Sequence, residues 1–176
     1  MAKRDWALAA LRQGIALERE GKAFYLEGEA RTADPGGKRM FRALAQDELD
    51  HLNILKAQQS RLRKGQGWAP LKELPTSLPP IRLFPKGKKA ASQLIPRKAS
   101  DSDALKLAID LEKRGLALYR QASRRATDPG AQGVYRFLVR EEKRHLDLLT
   151  RALDYLNAVG PSVEFDDLER PFLEWL

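Results

Sequence analysis

Apolar and small residues recur along the chain at alternating steps of four and three, the spacing that keeps side chains on one face of an α-helix. One such stripe is Ala7, Leu11, Gly14, Glu18, Gly21, Tyr25, and a second is Phe41, Leu44, Glu48, His51, Leu55. After a gap the pattern resumes as Leu105, Ala108, Glu112, Gly115, Tyr119, Ala122 and then Tyr135, Leu138, Glu142, His145, Leu149. These stripes predict helices near 5–31, 35–64, 101–126 and 129–158. Asp34 and Asp128, each followed by proline, suit the N-cap of the second and fourth helices, because a carboxylate there accepts from free amides and proline fits the first helical position. Ser100 and Asp103 have capping-box spacing at the start of the third, and Gly160-Pro161 stops the fourth.

The second stripe is the first one's neighbour in a unit that occurs twice. Residues 15–57 align with 109–151 at a constant offset of 94 with no gap, and sixteen of the forty-three positions are identical. Unrelated segments of ordinary composition would share about 6%. The shared residues include Glu18 with Glu112, Tyr25 with Tyr119, Glu48 with Glu142 and His51 with His145. Each half reads as a helical hairpin, 5–64 and 101–158. Between them, the stretch 65–100 carries six prolines, too many for a helix to continue. A helix of about 28 residues is about 42 Å long, a span that about 35 extended residues exceed. The second and third helices are therefore expected to run parallel, joined by a long crossover in an all-α four-helix bundle over 1–158, with 159–176 as a C-terminal tail.

Composition narrows the chemistry. These 176 residues contain no cysteine, which removes disulfides, thiolate metal sites and cysteine nucleophiles. The formal charge of +8 is concentrated in the linker, where Lys72, Arg82, Lys86, Lys88, Lys89, Arg97 and Lys98 face a single acid, Glu73. No aromatic-basic interleaving accompanies it, so nucleic acid is not expected as a partner. No apolar run approaches the ~18 residues of a spanning helix and no signal peptide is read, so no membrane partner and a cytoplasmic location are expected.

The polar members of the stripes carry the functional signal. Each of the four stripes sets a glutamate among apolar or small neighbours, and two add a histidine one turn later. Four carboxylates facing one core cost several kcal/mol per ion if unpaired. Two divalent cations would balance their charge, with neutral imidazoles as additional nitrogen donors. A mixed oxygen and nitrogen set favours iron or manganese over magnesium or calcium, while zinc ordinarily takes fewer ligands. Glu18, Glu48, His51, Glu112, Glu142 and His145 are thus the candidate ligands of a two-metal site, and both histidines of the chain belong to it.

The order Glu, Glu-x-x-His, crossover, Glu, Glu-x-x-His resembles the ferritin-like di-iron superfamily, and within it most closely rubrerythrin. That resemblance covers about residues 5–158. It implies a ferritin-like bundle holding two iron ions, with manganese as the alternative, and a non-haem oxidoreductase that reduces hydrogen peroxide. Ferroxidase activity with dioxygen, or non-catalytic iron storage, is the competing reading. The resemblance also implies bridging roles for Glu48 and Glu142, terminal ones for Glu18 and Glu112, and one nitrogen per metal from His51 and His145. Two departures stand out. Rubrerythrins usually carry a further carboxylate at the position of Gly115, and they commonly append a cysteine-rich rubredoxin-type centre, for which this chain has no cysteine. Electrons are therefore expected from a separate donor, and a homo-oligomer, with a dimer favoured over a cage, is the expected assembly.

Several residues keep two readings at this stage. Tyr25 and Tyr119 suit either a hydrogen bond to a ligand carboxylate, which would place them beside the catalytic centre, or ordinary core packing. Gly21 and Gly115 either permit close helix packing or leave room for water or peroxide. The lysines of the linker steer an anionic partner or simply solvate the crossover. The apolar and acidic tail docks on its own bundle or a neighbouring subunit, or serves as a recognition peptide.

Overall fold

The computed structural model describes residues 2–74 and 100–159; most of the basic linker and the C-terminal tail, with the readings attached to them, lie outside the described residues. Among the described residues four helices carry the fold: α1 Ala2–Arg31, α2 Pro35–Arg63, α3 Asp101–Arg125 and α4 Pro129–Val159. The caps form from the residues expected. Asp34 accepts from the Gly37 amide, and Asp128 accepts from Ala131 at 3.1 Å. Ser100 and Asp103 bond each other's amides at 3.2 Å, completing the capping box. Among the described residues no helix is long and apolar enough to cross a membrane.

The contacts fix the helix directions. Gly28 lies against Phe41, Gly21 against Glu48 and Gly14 against Leu55, so α1 and α2 are antiparallel. Gly14 meets Tyr119, Gly21 meets Leu111, and Glu20 pairs with Arg114, so α1 and α3 are antiparallel as well. Helices α2 and α3 consequently run parallel.

The apolar core is divided in two. One cluster includes Leu11, Ile15, Leu55, Leu62, Tyr119, Val134 and Leu138; the other includes Phe24, Phe41, Leu44, Leu105, Ile109 and Leu149. On every helix a buried glutamate falls between the two clusters, so the four meet at one level in mid-bundle, with the histidines of α2 and α4 beside them.

The sequence reading of 65–100 as plain linker did not anticipate how its first residues are held. Gly65 and Gly67 take left-handed φ values of 77° and 71°, which glycine adopts without a Cβ penalty. They turn the chain back so that the buried amide of Gln58 bonds Ala69 twice, donating to its carbonyl at 2.7 Å and accepting from its N–H at 3.0 Å. A 3-10 turn at Leu71–Glu73 follows and touches α4.

Candidate metal centre

The six residues singled out by pattern converge, and none is more than 4% exposed. One donor atom each from Glu18, Glu48, His51 and Glu142 lies within 4.8 Å of the others, and Glu48, Glu112 and His145 form a second such group. Glu48 is common to both. Its Oε2 is 3.3 Å from His51 Nδ1 and its Oε1 is 3.4 Å from His145 Nδ1, so one carboxylate spans the two groups. Glu18 and Glu142 complete the first at 3.5 and 3.8 Å from His51 Nδ1, and Glu112 completes the second at 3.5 Å from His145 Nδ1. The two imidazoles stack with centroids 5.7 Å apart.

Those separations test whether the residues suit a metal. The Nδ1 atoms of His51 and His145 and Oε2 of Glu112 are buried and have no hydrogen-bond partner among the described residues. Buried polar atoms are ordinarily satisfied. Three that are not, converging on one centre from three helices, are what a cation would satisfy. Charge tells the same story. Burial, then the neighbouring charge of Glu48, pushes the Glu18 carboxyl up to about 8. Burial likewise raises Glu142 well above the carboxylate range, with Glu18 and Glu112 adding to it. Burial alone would depress His51, but the adjacent carboxylates of Glu18 and Glu48 outweigh that and raise it to about 10. His145 is raised in the same way, against burial, by Glu112 and Asp47. Glu48 is held well below its usual range although burial opposes this, because Glu18 and both imidazoles crowd its carboxylate and favour the ionised form. Without a cation the cluster balances its charge with protons, and a metal binding there at neutral pH displaces them.

The tyrosines resolve into one of their two readings, with a partner the stripes did not predict. Tyr25 donates to Glu112 and Tyr119 donates to Glu18, each reaching across to the other half of the repeat. Each hydroxyl therefore orients a carboxylate of the cluster rather than one on its own helix. Gly115 makes room for a carboxylate, since a Cβ there would overlap Glu142 Oε2, whereas one on Gly21 would meet the Glu48 side chain at an ordinary 3.4 Å. The space at Gly115 is occupied by Glu142 itself.

One residue at the site escaped the pattern. Asp47 Oδ2 is 3.1 Å from His145 Nε2 and is itself held by Arg144 at 2.6 Å. A carboxylate on Nε2 keeps the proton there and leaves the Nδ1 lone pair facing the cluster. Glu141, the repeat counterpart of Asp47, is instead bound by Arg144 at 3.0 Å, and the ring of His51 meets the edge of Phe137. The acid preceding the glutamate in both halves was the available signal, but it lies one position off the stripe. Asp47→Ala is expected to weaken metal binding at the His145 group by about 10–100-fold while sparing the His51 group. Calorimetric titration of the variant would show this as two unequal steps.

A bundle of two helical hairpins with a buried carboxylate and histidine cluster in two overlapping groups defines a ferritin-like protein with a site suited to a pair of metal ions. The chain belongs to the rubrerythrin family, whose model, described as Rubrerythrin, matches residues 9–153. Comparison with curated proteins and with solved structures gave no match.

Proposed function

We propose that this protein is a non-haem di-iron oxidoreductase that reduces hydrogen peroxide with electrons from a separate donor. The observation that carries this reading is the position of Glu48, one carboxylate shared by two groups that each contain a histidine. Family membership supports iron as the metal and peroxide as the oxidant. An iron pair bound there supplies the redox chemistry, two electrons for each peroxide reduced.

The protein's part is to hold and screen that pair. Glu48 would be shared by the two ions, and Glu142, seated against Gly115 and within the electrostatic reach of Glu18 and Glu112, would be the second shared carboxylate. Glu18 and Glu112 would each serve one ion, each oriented by the tyrosine of the opposite half. His51 and His145 each offer Nδ1. The two apolar clusters above and below the centre keep bulk water away and strengthen the electrostatics inside.

Rapid mixing of the anaerobic diferrous protein with peroxide, and separately with dioxygen, tests the assignment. Oxidation by peroxide is expected to be the faster, and to stop after a single turnover when no donor is supplied. Faster oxidation by dioxygen would overturn the peroxidase reading and put ferroxidase activity in its place.

A further inference from the structure

The two halves of the bundle repeat the cluster closely but differ in the aromatic rings beside it. In one half Tyr25 stacks on Phe41 with centroids 6.2 Å apart, and Phe24 meets Tyr25 edge-on at 5.6 Å. In the other, Tyr119 stacks on Tyr135 at 6.3 Å in nearly the same geometry, Tyr135 being the repeat counterpart of Phe41. There the series continues, because Tyr135 meets the ring of Trp68 at 5.5 Å, and Trp68 is half-buried at the protein surface. Among the described residues the first half offers Tyr25 only phenylalanine rings, which resist one-electron oxidation. The second half joins a cluster carboxylate to solvent through tyrosine and tryptophan. Trp68 is also held in place, since its neighbour Ala69 is bonded on both sides by the buried Gln58 amide.

We propose that Trp68, Tyr135 and Tyr119 form a one-electron path between the surface and the Glu18 side of the cluster. Its physiological use rests on the di-iron reading above: when the pair has only one electron to give, the path supplies the second that peroxide requires. Peroxide is the oxidant, and it takes that electron from Tyr119 through the pair. The Tyr119 O–H bond breaks, and the proton moves to Glu18 along the hydrogen bond already present, leaving a neutral phenoxyl radical. Trp68 returns one electron across the ring of Tyr135, and Tyr119 recovers its proton from Glu18. The indole N–H of Trp68 releases its proton to water, and a one-electron donor protein restores Trp68 with one electron while water returns one proton. One such passage completes the reduction of one peroxide. The Tyr135 hydroxyl is buried with no hydrogen-bond partner among the described residues to take its proton. Tyr135 therefore bridges the path without holding the radical.

The test uses zinc-loaded protein, whose metal keeps one oxidation state, carrying Trp6→Phe and Trp175→Phe so that Trp68 is the remaining tryptophan. A flash-generated ruthenium oxidant produces the Trp68 radical, and transient absorption follows its conversion to a tyrosyl radical. The tyrosyl signal is expected to rise as the tryptophanyl signal decays. Tyr119→Phe is expected to abolish that rise, Tyr135→Leu to slow it, and Tyr135→Phe and Tyr25→Phe to leave it intact. An unchanged rise in Tyr119→Phe, or no conversion in the parent, overturns the path. Zinc stoichiometry on the same samples scores the metal reading separately: two per chain with no radical transfer would reject the path alone, and failure to bind zinc as a pair would reject the site.

Discussion

Replacing Glu48 with alanine is expected to abolish paired metal binding, lowering affinity at both sites by more than about 100-fold, the upper end of what even an outlying partner of a ligand contributes. Its carboxylate is the one shared by the His51 and His145 groups, so neither metal keeps its set when it is removed. Glu18→Ala is expected to impair the His51 group first, because Glu18 belongs to that group alone. Glu48 also matters to the metal-free protein. It is the cluster carboxylate held ionised beside both imidazoles, so deleting it removes their shared counter-charge and lowers the stability of the apoprotein as well. Because metal no longer binds as a pair, the difference between apo and metal-loaded melting temperatures is expected to collapse in Glu48→Ala. Equal metal-induced stabilisation in variant and parent would remove Glu48 from its bridging role.

A second large effect is expected at Gly115. A methyl group there would overlap Oε2 of Glu142 and sit 2.9 Å from its Cδ, so Gly115→Ala must push the Glu142 carboxylate out of position. Overpacking of this kind costs about 1–3 kcal/mol. Gly133 on α4 supplies the control, because a Cβ there meets nothing within 4 Å among the described residues. Gly133→Ala is expected to stabilise the protein by up to about 1 kcal/mol through helix propensity alone, and to leave metal binding unchanged. Chemical denaturation with and without metal separates the cases. A Gly115→Ala protein that binds two metals with parental affinity would show that Glu142 is not needed where it sits.

What the sequence made legible was everything set by local spacing. Stripes at steps of three and four placed Glu18, Glu48, Glu112 and Glu142 on buried faces, and the caps at Asp34, Ser100 and Asp128 set three helix starts. The offset of 94 then showed that two hairpins carry equivalent residues. Equivalence does not say who touches whom. Tyr25 and Glu18 share a stripe, yet Tyr25 bonds Glu112, because that contact depends on how α1 crosses α3. Asp47 was missed since it flanks the stripe and reaches His145 only through the approach of α2 to α4. The clamp from Gln58 to Ala69 was equally unreadable, because a buried glutamine's partner here is backbone delivered by a turn through Gly65 and Gly67. The departure at Gly115 was visible as a missing carboxylate, but only the packing showed that Glu142 fills the space.

The measurement that bears most directly on the account is an anaerobic titration of the metal-free protein with ferrous ion, followed by calorimetry. Two overlapping donor groups joined through Glu48 predict saturation near two ions per chain, with the second ion binding at the group whose histidine and glutamates remain free. Saturation at or below one ion per chain would contradict the paired site.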